Sequence, residues 1–208
     1  MKTCVIFCAG ELDAPVEIPA GAMIIAADGG LRHTDVLGIQ PDVILGDFDS
    51  LGYTPAGAEV FPVEKDDSDS MLAARRGLSE GCSEFIFYGA LAGKRLDHTV
   101  ANFQTLQFLA DHGAVGYLLG GDTAVTVVKN GQLAFPEAAT GVISLFCMGG
   151  DARGVTLQGL KYELSDGVLT AGHPLGLSNA FVGKTSKISV KDGSLLVLWD
   201  RKNGFPTR

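Results

Sequence analysis

The stretch DVILGDFDS, residues 42–50, runs from an apolar segment directly into two aspartates. A continuous apolar segment is typical of a strand that is covered on both faces, as in a parallel sheet. Asp47 and Asp49 stand at positions i and i+2, so in extended chain their side chains share one face and their carboxylates repel each other. The stretch therefore predicts a buried strand that ends in an acidic site, with a positive group between the two carboxylates.

Similar apolar segments alternate with helical segments through the first part of the chain. The predicted strands are TCVIFCAG at 3–10, AMIIAADGG at 22–30, DVILGDFDS at 42–50, EFIFYGAL at 84–91 and VGYLLGG at 115–121. The predicted helices cover 31–39, 68–81 and 95–113. In the last helix, apolar residues at helical spacing predict the packed face, namely Leu96, Val100, Phe103, Leu106 and Ala110. The alternation predicts a Rossmann-like α/β domain with a mostly parallel sheet over residues 1–130.

The second part of the chain, residues 131–208, has a different pattern. Short apolar runs are separated by turn residues, and the pairs Asp166-Gly167 and Asp192-Gly193 are typical of hairpin turns. This pattern predicts an all-β domain, which we expect to be a sandwich. Trp199 lies in an apolar final strand, which favours packing in the core over stacking on a ligand.

Composition and charge argue against several classes of function. Hydrophobic residues make up 46% of the 208 residues, enough for a sizeable core, and the net charge of −8 argues against nucleic acid as a partner. No apolar stretch reaches the roughly 20 residues of a transmembrane helix, so we expect no membrane partner. The cysteines lack the spacing of a zinc site and predict free thiols in a reducing compartment. We therefore expect a cytoplasmic protein.

Polar and charged residues recur where the predicted strands end or the next helix begins. They are Asp28 after the second strand, Asp47 and Asp49 after the third, Asp66, Ser68 and Asp69 before the second helix, and Arg95, Asp97 and His98 at the start of the third helix. In an open α/β sheet, ligands bind in the crevice at the carboxyl ends of the strands, so we expect these side chains to converge. Oxygen ligands without cysteine or paired histidine suit Mg²⁺, which usually shares its coordination shell with substrate phosphates. Arg95 would supply a planar donor to a phosphate.

Each of these residues also has a purely structural interpretation. An isolated aspartate at the end of a strand most often belongs to a turn or caps a helix. Residues 67–69 alone could cap the second helix, and His98 alone could have a structural hydrogen-bonding role. The joint pattern favours a site, because every group falls at the same edge of the predicted sheet.

Five motifs in this order resemble the signature of the thiamine pyrophosphokinase family. They are DGG at 28–30, PDVILGDFDS at 41–50, KDDSD at 65–69, GKRLDHTVAN at 93–102 and GLSNAF at 176–181. The resemblance covers nearly the whole chain, including the order of an α/β part and an all-β part. It implies an enzyme that transfers the β,γ-diphosphoryl group of ATP to the hydroxyl of thiamine, giving thiamine diphosphate and AMP. It also implies a homodimer whose active sites lie at the interface.

The resemblance implies roles for individual residues as well. Metal binding and catalysis fall to Asp47, Asp49 and Asp69, with Mg²⁺ as the cofactor, while Arg95 would contact phosphate and Asp97 would orient the thiamine. The substrate-binding residues that it implies are Asp28, Asp66, Ser68, His98, Ser178 and Asn179, the last two reaching thiamine from the partner subunit.

The sequence departs from the family pattern at three positions. Ser68 stands where threonine is common and keeps the hydroxyl, Lys94 replaces the second glycine of a Gly-Gly-Arg run, and Ala180 stands where an acidic residue is frequent. We expect the change at Ala180 to loosen thiamine recognition.

Two other functions are open on the sequence alone. The same metal site could hydrolyse a nucleotide, with water in place of the thiamine hydroxyl, or the chain could bind Mg–ATP without turnover as an interaction module. The pair of Ser178 and Asn179 favours transfer to an acceptor, and the several acidic residues together with Arg95 favour catalysis over binding alone.

Overall fold

The computed structural model describes residues 1–91, 93 and 95–208. Ala92 and Lys94 lie outside the described residues, and with them the departure from the family pattern at Lys94. The chain divides into two compact units, Met1–Gly121 and Asp122–Arg208. The division falls before the first strand of the second unit, rather than at the 130/131 boundary of the sequence analysis. The reason is that this strand pairs along its length with the last strand of the chain.

The first unit contains a parallel sheet with helices between its strands. Its strands are β1 (Thr3–Phe7), β2 (Met23–Ala27), β3 (Val43–Gly46), β4 (Glu59–Val60), β5 (Glu84–Tyr88) and β6 (Val115–Gly120). They are hydrogen-bonded in the order β4-β3-β2-β1-β5-β6, and every pairing between them is parallel. The direction of the strand order reverses at β1, which lies between β2 and β5. The carboxyl ends of these strands therefore open a crevice of the kind that binds ligands in α/β sheets.

The helices of this unit are α1 (Leu31–Leu37), α2 (Asp69–Ser79) and α3 (Leu96–Asp111), with a 3-10 turn at Asp28–Gly30. At the start of α2, the side-chain oxygen of Ser68 accepts a hydrogen bond of 3.3 Å from the backbone N–H of Met71. Ser68 is thus the N-cap of α2, one of the two interpretations that the sequence left open. The short strand β4 is an element that the sequence analysis did not predict.

The buried face of α3 differs from the predicted one. The buried residues of this helix are Asn102, Thr105, Leu106 and Leu109. Leu96 and Val100 are instead 74% and 51% exposed, so the prediction is wrong at both positions. The reason is that polar residues occupy part of the packed face. The side-chain amide of Asn102 donates a hydrogen bond of 2.8 Å to the carbonyl of Ala90, which satisfies a buried polar group without water.

The second unit contains antiparallel strands. They are β7 (Thr123–Lys129), β8 (Gln132–Phe135), β9 (Val142–Gln158), β10 (Leu164–Leu169), β11 (Asn179–Ala180), β12 (Ser186–Ser189) and β13 (Asp192–Asp200). Their order is β7-β13-β9-β12-β8, with β10 and β11 also paired to β9, and every pairing between them is antiparallel. The fold is therefore a mixed one, parallel in the first unit and antiparallel in the second. The arrangement of the second unit as a sandwich stays a prediction.

Both predicted hairpin turns in this unit are wrong. Asp166 lies inside β10 at a positive φ of 49°, where the register with β9 shifts, so it marks a bulge rather than the turn. Asp192 begins β13, and β12 and β13 both pair with β9 rather than with each other. An Asp-Gly pair suits any position that needs a positive φ, and this includes positions outside hairpin turns.

Trp199 packs in the core of the second unit, as predicted. It is 2% exposed, and its ring meets that of Phe135 edge-on with the centroids 5.4 Å apart. Its indole N–H donates a hydrogen bond of 2.9 Å to the carbonyl of Gly204, so the polar end of the ring is also satisfied.

All four cysteines are free thiols, as predicted, and Cys4, Cys8 and Cys82 are buried. Within the described part of the chain, no helix combines the length and the apolar character needed to cross a membrane.

Gly30 lies where the start of α1 meets the backbone of β1. A Cβ atom at this position would overlap the carbonyl oxygen of Phe7, which belongs to a buried strand. We expect Gly30→Ala to lower the free energy of unfolding by about 3 kcal/mol, because the strand and the helix must shift apart. The midpoint of thermal unfolding should then fall by roughly 6–12 °C, as circular dichroism would measure.

Gly38→Ala is the matched control for this prediction. Gly38 ends α1 with φ at 66°, and a Cβ atom there would meet no atom within 4 Å. We expect this change to lower the free energy of unfolding by only about 1 kcal/mol, because alanine must adopt the left-handed conformation. Equal losses of stability for the two variants would contradict the steric explanation.

Candidate active site

A cavity of about 840 Å³ opens at the carboxyl ends of the strands in the first unit. Its walls come from the segments that follow β1, β2, β3 and β5, from residues 65–70 before and within α2, and from the first turns of α3. All of its lining residues belong to Met1–Gly121. The cavity therefore lies at the edge of the sheet where the sequence predicted a site.

Three aspartates converge in this cavity. Asp28, Asp47 and Asp69 each offer a carboxylate oxygen, and these oxygens all lie within 4.8 Å of one another. Asp28 follows β2, Asp47 follows β3, and Asp69 is the first residue of α2. They meet because β2 and β3 are parallel neighbours whose carboxyl ends lie side by side. We call these three residues the carboxylate cluster.

A glycine lets the backbone of β3 approach Asp28. Gly46 has φ at 147°, and a Cβ atom there would lie 3.0 Å from both the Cα and the Cβ of Asp28. Asp28 itself has φ at 48°, a left-handed conformation that aspartate tolerates better than most residues. The glycine before Asp47 thus brings the ends of the two strands close enough for their carboxylates to meet.

One carboxylate of the cluster is buried and half-satisfied. Asp28 is 6% exposed, and its Oδ2 accepts a hydrogen bond of 2.6 Å from the hydroxyl of Ser50. Its Oδ1 is buried without a hydrogen-bond partner. A buried anionic oxygen without a partner is costly, and a cation at this position would remove that cost. Three converging carboxylates, with an oxygen of Asp28 that lacks a partner, fit a hard divalent cation such as Mg²⁺.

Lys65 supplies the positive charge that the sequence predicted, but to a different pair of carboxylates. Its Nζ lies 2.5 Å from Oδ2 of Asp47 and 3.2 Å from Oδ1 of Asp69. The side chains of Lys65 and Asp47 are only 13% and 11% exposed, so water screens the contact weakly. The distance from Nζ of Lys65 to Oδ1 of Asp69 is that of an ion pair. Oδ1 of Asp69 nevertheless accepts no hydrogen bond from the described residues.

The pKa values of these groups follow from burial and from the shared lysine. Burial acts to raise the pKa of Asp47, but hydrogen bonds from Lys65 and from the backbone N–H of Asp49 hold it below its usual value. Burial raises the pKa of Asp69, and Lys65 only partly opposes this effect. Burial acts to lower the pKa of Lys65, but its contacts with the two aspartates hold it above the ordinary value. Lys65 thus stabilises the ionised form of Asp47 most.

Asp49 lies outside the carboxylate cluster. It is exposed, and its backbone N–H donates a hydrogen bond of 3.3 Å to Oδ1 of Asp47. Phe48 has φ at 61°, so the chain is not extended here, and the assumption that Asp47 and Asp49 share a face is wrong. A role of Asp49 as a metal ligand stays a prediction.

Asp66 and Ser68 line the cavity, as does His98 at the start of α3. Ser68 acts at the same time as the cap of α2. The neighbouring Asp67 is paired with Arg75 on α2, with 2.8 Å between carboxylate and guanidinium.

Arg95 lines the cavity and binds Asp97 in a bidentate way. Its Nη2 lies 2.6 Å from Oδ2 of Asp97, and its Nε lies 2.9 Å from Oδ1. These bonds lower the pKa of Asp97 to about 2. Both side chains are more than half exposed, so the pair can exchange partners with an incoming anion. A phosphate contact of Arg95 and a thiamine contact of Asp97 stay predictions.

A buried network that was not predicted from the sequence connects three residues of the cavity wall. The hydroxyl of Ser70 donates a hydrogen bond of 2.6 Å to the amide oxygen of Asn102, whose nitrogen binds the carbonyl of Ala90. This network joins the start of α2, the middle of α3 and the segment after β5. Asn102 is the last residue of the motif at 93–102. A polar residue among the apolar residues of a predicted helix is the sequence feature that could have indicated this network.

Ser178 and Asn179 lie in the second unit. Asn179 is 3% exposed, and its amide both accepts a hydrogen bond of 2.9 Å from the backbone N–H of Tyr162 and donates one of 2.7 Å to its carbonyl. Ser178 is exposed, with φ at 58°, and its backbone N–H donates to the hydroxyl of Ser144. Asn179 therefore holds the turn at Tyr162, and contact of either residue with thiamine stays a prediction.

Two family models match the chain, one in each unit. The model of the catalytic domain of thiamin pyrophosphokinase matches residues 18–115, and the model of its vitamin B1 binding domain matches residues 132–195. The first match includes the carboxylate cluster and Lys65, and the second includes Ser178 and Asn179.

Individual relatives agree with the family models. Thiamine pyrophosphokinase of Bacillus subtilis (strain 168) is 26% identical over 184 residues, which cover 84% of this chain and 85% of the relative. A crystal structure of the Bacillus subtilis thiamine pyrophosphokinase superposes with a TM-score of 0.85 at 25% identity, covering 96% of this chain and 99% of the other. The thiamin pyrophosphokinase from Candida albicans shares the fold, with a TM-score of 0.72 at 16% identity over 95% of this chain and 88% of the other.

Proposed function

The chain belongs to the thiamine pyrophosphokinase family, and from this premise we propose how its own residues carry the reaction. The reaction transfers the β,γ-diphosphoryl group of ATP to the hydroxyl of thiamine and yields thiamine diphosphate and AMP. The observation that carries the proposal is the carboxylate cluster with its buried, unpartnered Oδ1 of Asp28.

We propose that Asp28, Asp47 and Asp69 hold Mg²⁺ as the cofactor. When bound, the ion neutralises the charge that builds on the phosphoryl oxygens during transfer. Asp49, two residues after Asp47, stays a predicted further ligand. Donors of this kind and number leave coordination positions for phosphate oxygens, as Mg²⁺ sites in phosphoryl transfer require.

The remainder of the cavity would hold the triphosphate and the reacting hydroxyl. A volume of about 840 Å³ lies in the range of ligand pockets, roughly 300–1,000 Å³. Arg95 and His98 line it at the start of α3, and the N-terminal end of a helix favours anions. In the proposal, Arg95 leaves Asp97 for a phosphate oxygen, and the released Asp97 orients the thiamine. Asp66 and Ser68 complete the wall on the side of α2.

We propose that the second unit binds thiamine and forms a homodimer, with the segment that carries Ser178 and Asn179 reaching the thiamine bound to the partner subunit. The match to a vitamin B1 binding domain over 132–195 supports this role. Since Asn179 already holds Tyr162, it would act by fixing the turn while Ser178 contacts the ligand. Size-exclusion chromatography with light scattering tests the dimer, and a strictly monomeric protein would contradict a shared site. A cytoplasmic location stays a prediction.

The experiment that tests the function is a product assay. Purified protein is incubated with ATP, Mg²⁺ and thiamine, and nucleotides and thiamine species are separated and quantified. We expect AMP and thiamine diphosphate in equal amounts, and no product when the metal is removed with a chelator.

Other outcomes of this assay point to the competing functions. ADP with thiamine monophosphate would indicate an ordinary kinase on the same fold. Nucleotide breakdown that does not depend on thiamine would indicate a hydrolase. Binding of Mg–ATP without any turnover would indicate an interaction module and would overturn the assignment of catalysis to the carboxylate cluster.

A further inference from the structure

Lys65 lies inside the carboxylate cluster. Its Nζ contacts Asp47 at 2.5 Å and Asp69 at 3.2 Å, and its side chain is 13% exposed. Lys65 also lines the cavity, so its ammonium group borders the space in which a substrate would lie. A largely enclosed lysine between two of the three carboxylates that converge here is positioned like a bound cation.

The nearby arginines that line the cavity are engaged elsewhere. Arg32 donates a hydrogen bond of 2.5 Å to the backbone carbonyl of Ser50, and Arg95 binds Asp97. Among the ion pairs of the described residues, Lys65 is therefore the basic group that contacts the carboxylate cluster. Three carboxylates and one ammonium leave two negative charges uncompensated. Oδ1 of Asp28 and Oδ1 of Asp69 are both buried without a hydrogen-bond partner in the part of the chain that the structure describes.

We propose that Lys65 is the resident counter-ion of the carboxylate cluster in the metal-free protein, and that it leaves the cluster to bind a phosphate oxygen of the nucleotide when the metal enters. This inference rests on the proposed function of the same site. A divalent cation held by Asp47 and Asp69 must compete with the ammonium for their oxygens. Lysine suits such an exchange, because it carries a compact charge on a flexible stem and binds phosphate as a point charge.

The exchange predicts that removal of the ammonium affects two ligands in opposite directions. A divalent cation without nucleotide should bind more tightly to Lys65→Met, because its competitor is gone and the site is more negative. The complex of Mg²⁺ with a non-hydrolysable ATP analogue should bind more weakly, because a phosphate contact is lost. A lysine with a purely structural role would weaken both, since its loss would disorder the cluster.

The experiment measures both affinities by titration calorimetry on the full chain, with Mn²⁺ alone as the first probe and the Mg²⁺–analogue complex as the second. For Lys65→Met we expect Mn²⁺ to bind about tenfold more tightly and the nucleotide complex about tenfold more weakly than in the unchanged protein. Lys65→Arg keeps the charge, so its Mn²⁺ affinity should lie within about threefold of that of the unchanged protein.

Lys191→Met serves as the matched control. Lys191 forms an exposed ion pair with Asp166 in the second unit, with 2.7 Å between the charged atoms, so the variant has the same change in net charge. Both affinities should stay unchanged in this control. Thermal unfolding of each variant verifies folding, and Lys65→Gln replaces Lys65→Met if the latter does not fold.

Two results would overturn the inference and leave the proposed function intact. The first is that the unchanged protein binds Mn²⁺ but Lys65→Met shows no gain in Mn²⁺ affinity. The second is that Lys65→Met loses affinity for both ligands. If the unchanged protein does not bind Mn²⁺ at all, the metal site in the proposed function fails, and the inference about Lys65 fails with it.

Discussion

We expect the replacement of Asp47 by asparagine to lower the kcat for thiamine diphosphate formation by on the order of 10³-fold. Asp47 is the member of the carboxylate cluster with the shortest contact to Lys65, and its pKa is held below the usual value. It is therefore ionised throughout the neutral range, and its charge is available to a metal without proton release. The amide keeps the shape of the side chain but removes the negative charge. Steady-state kinetics at saturating ATP, with AMP as the measured product, gives the ratio.

Asp35→Asn is the control for this measurement. Asp35 lies exposed on α1, outside the residues that line the cavity, so the same chemical change should leave kcat within a factor of about two. Asp47→Asn with kcat within tenfold of the unchanged protein would remove Asp47 from the proposed metal site. Circular dichroism spectra of both variants would show whether a loss of activity reflects a loss of fold.

Replacing Asp28 by asparagine gives a protein that is more stable but nearly inactive. The amide oxygen can still accept the hydroxyl of Ser50, and its N–H group can donate to the neighbouring carboxylates. Because one of three crowded negative charges disappears, we expect the free energy of unfolding without metal to rise by about 1–2 kcal/mol. The midpoint of thermal unfolding then rises by roughly 2–8 °C. The kcat should fall by on the order of 10²-fold, because a proposed metal ligand loses its charge.

The measurement is made with a chelator present for stability and with Mg²⁺ for activity. The left-handed backbone at position 28 suits asparagine as well as aspartate, so the exchange adds no backbone strain. A fall in stability together with unchanged kcat would assign Asp28 to the structure of the strand end and not to the site. A gain of stability that disappears when Mg²⁺ is added would agree with a cation between the carboxylates.

The convergence of Asp28, Asp47 and Asp69 could be predicted from the sequence, because parallel strands end at the same edge of a sheet. Apolar runs followed by aspartate are sufficient to locate that edge. Whether Asp49 belongs to the carboxylate cluster could not be predicted in the same way. A positive φ at Phe48 turns the chain after Asp47, and a large aromatic residue rarely adopts this conformation, so no letter in the sequence announces it.

Lys65 and Asn102 show a second limit of pattern reading. A lysine among aspartates is normally interpreted as a solvated surface residue, yet Lys65 precedes α2 and contacts Asp69, the first residue of that helix. An asparagine in a helix is normally placed on the outside, but the hydrogen bonds of Asn102 let it occupy the packed face of α3. Local rules fail most often where a polar group has a specific partner.

The pairing of strands in the second unit shows a third limit. β12 and β13 are adjacent in sequence, and an Asp-Gly pair begins β13, which together suggest a hairpin. Their common neighbour β9 is long enough, at 17 residues, to pair with both over different parts of its length. A partner so far away in sequence leaves no local signal.

The large cavity draws all its lining residues from one contiguous segment, Met1–Gly121. If the proposed function holds, the residues that bind the phosphate donor are therefore encoded in a single stretch of the gene. Directed evolution toward a different nucleotide donor can confine its library to that stretch. Chimeras that keep this stretch and exchange the remainder at the Gly121/Asp122 junction would test the proposal that the second unit contributes to the choice of the acceptor alcohol.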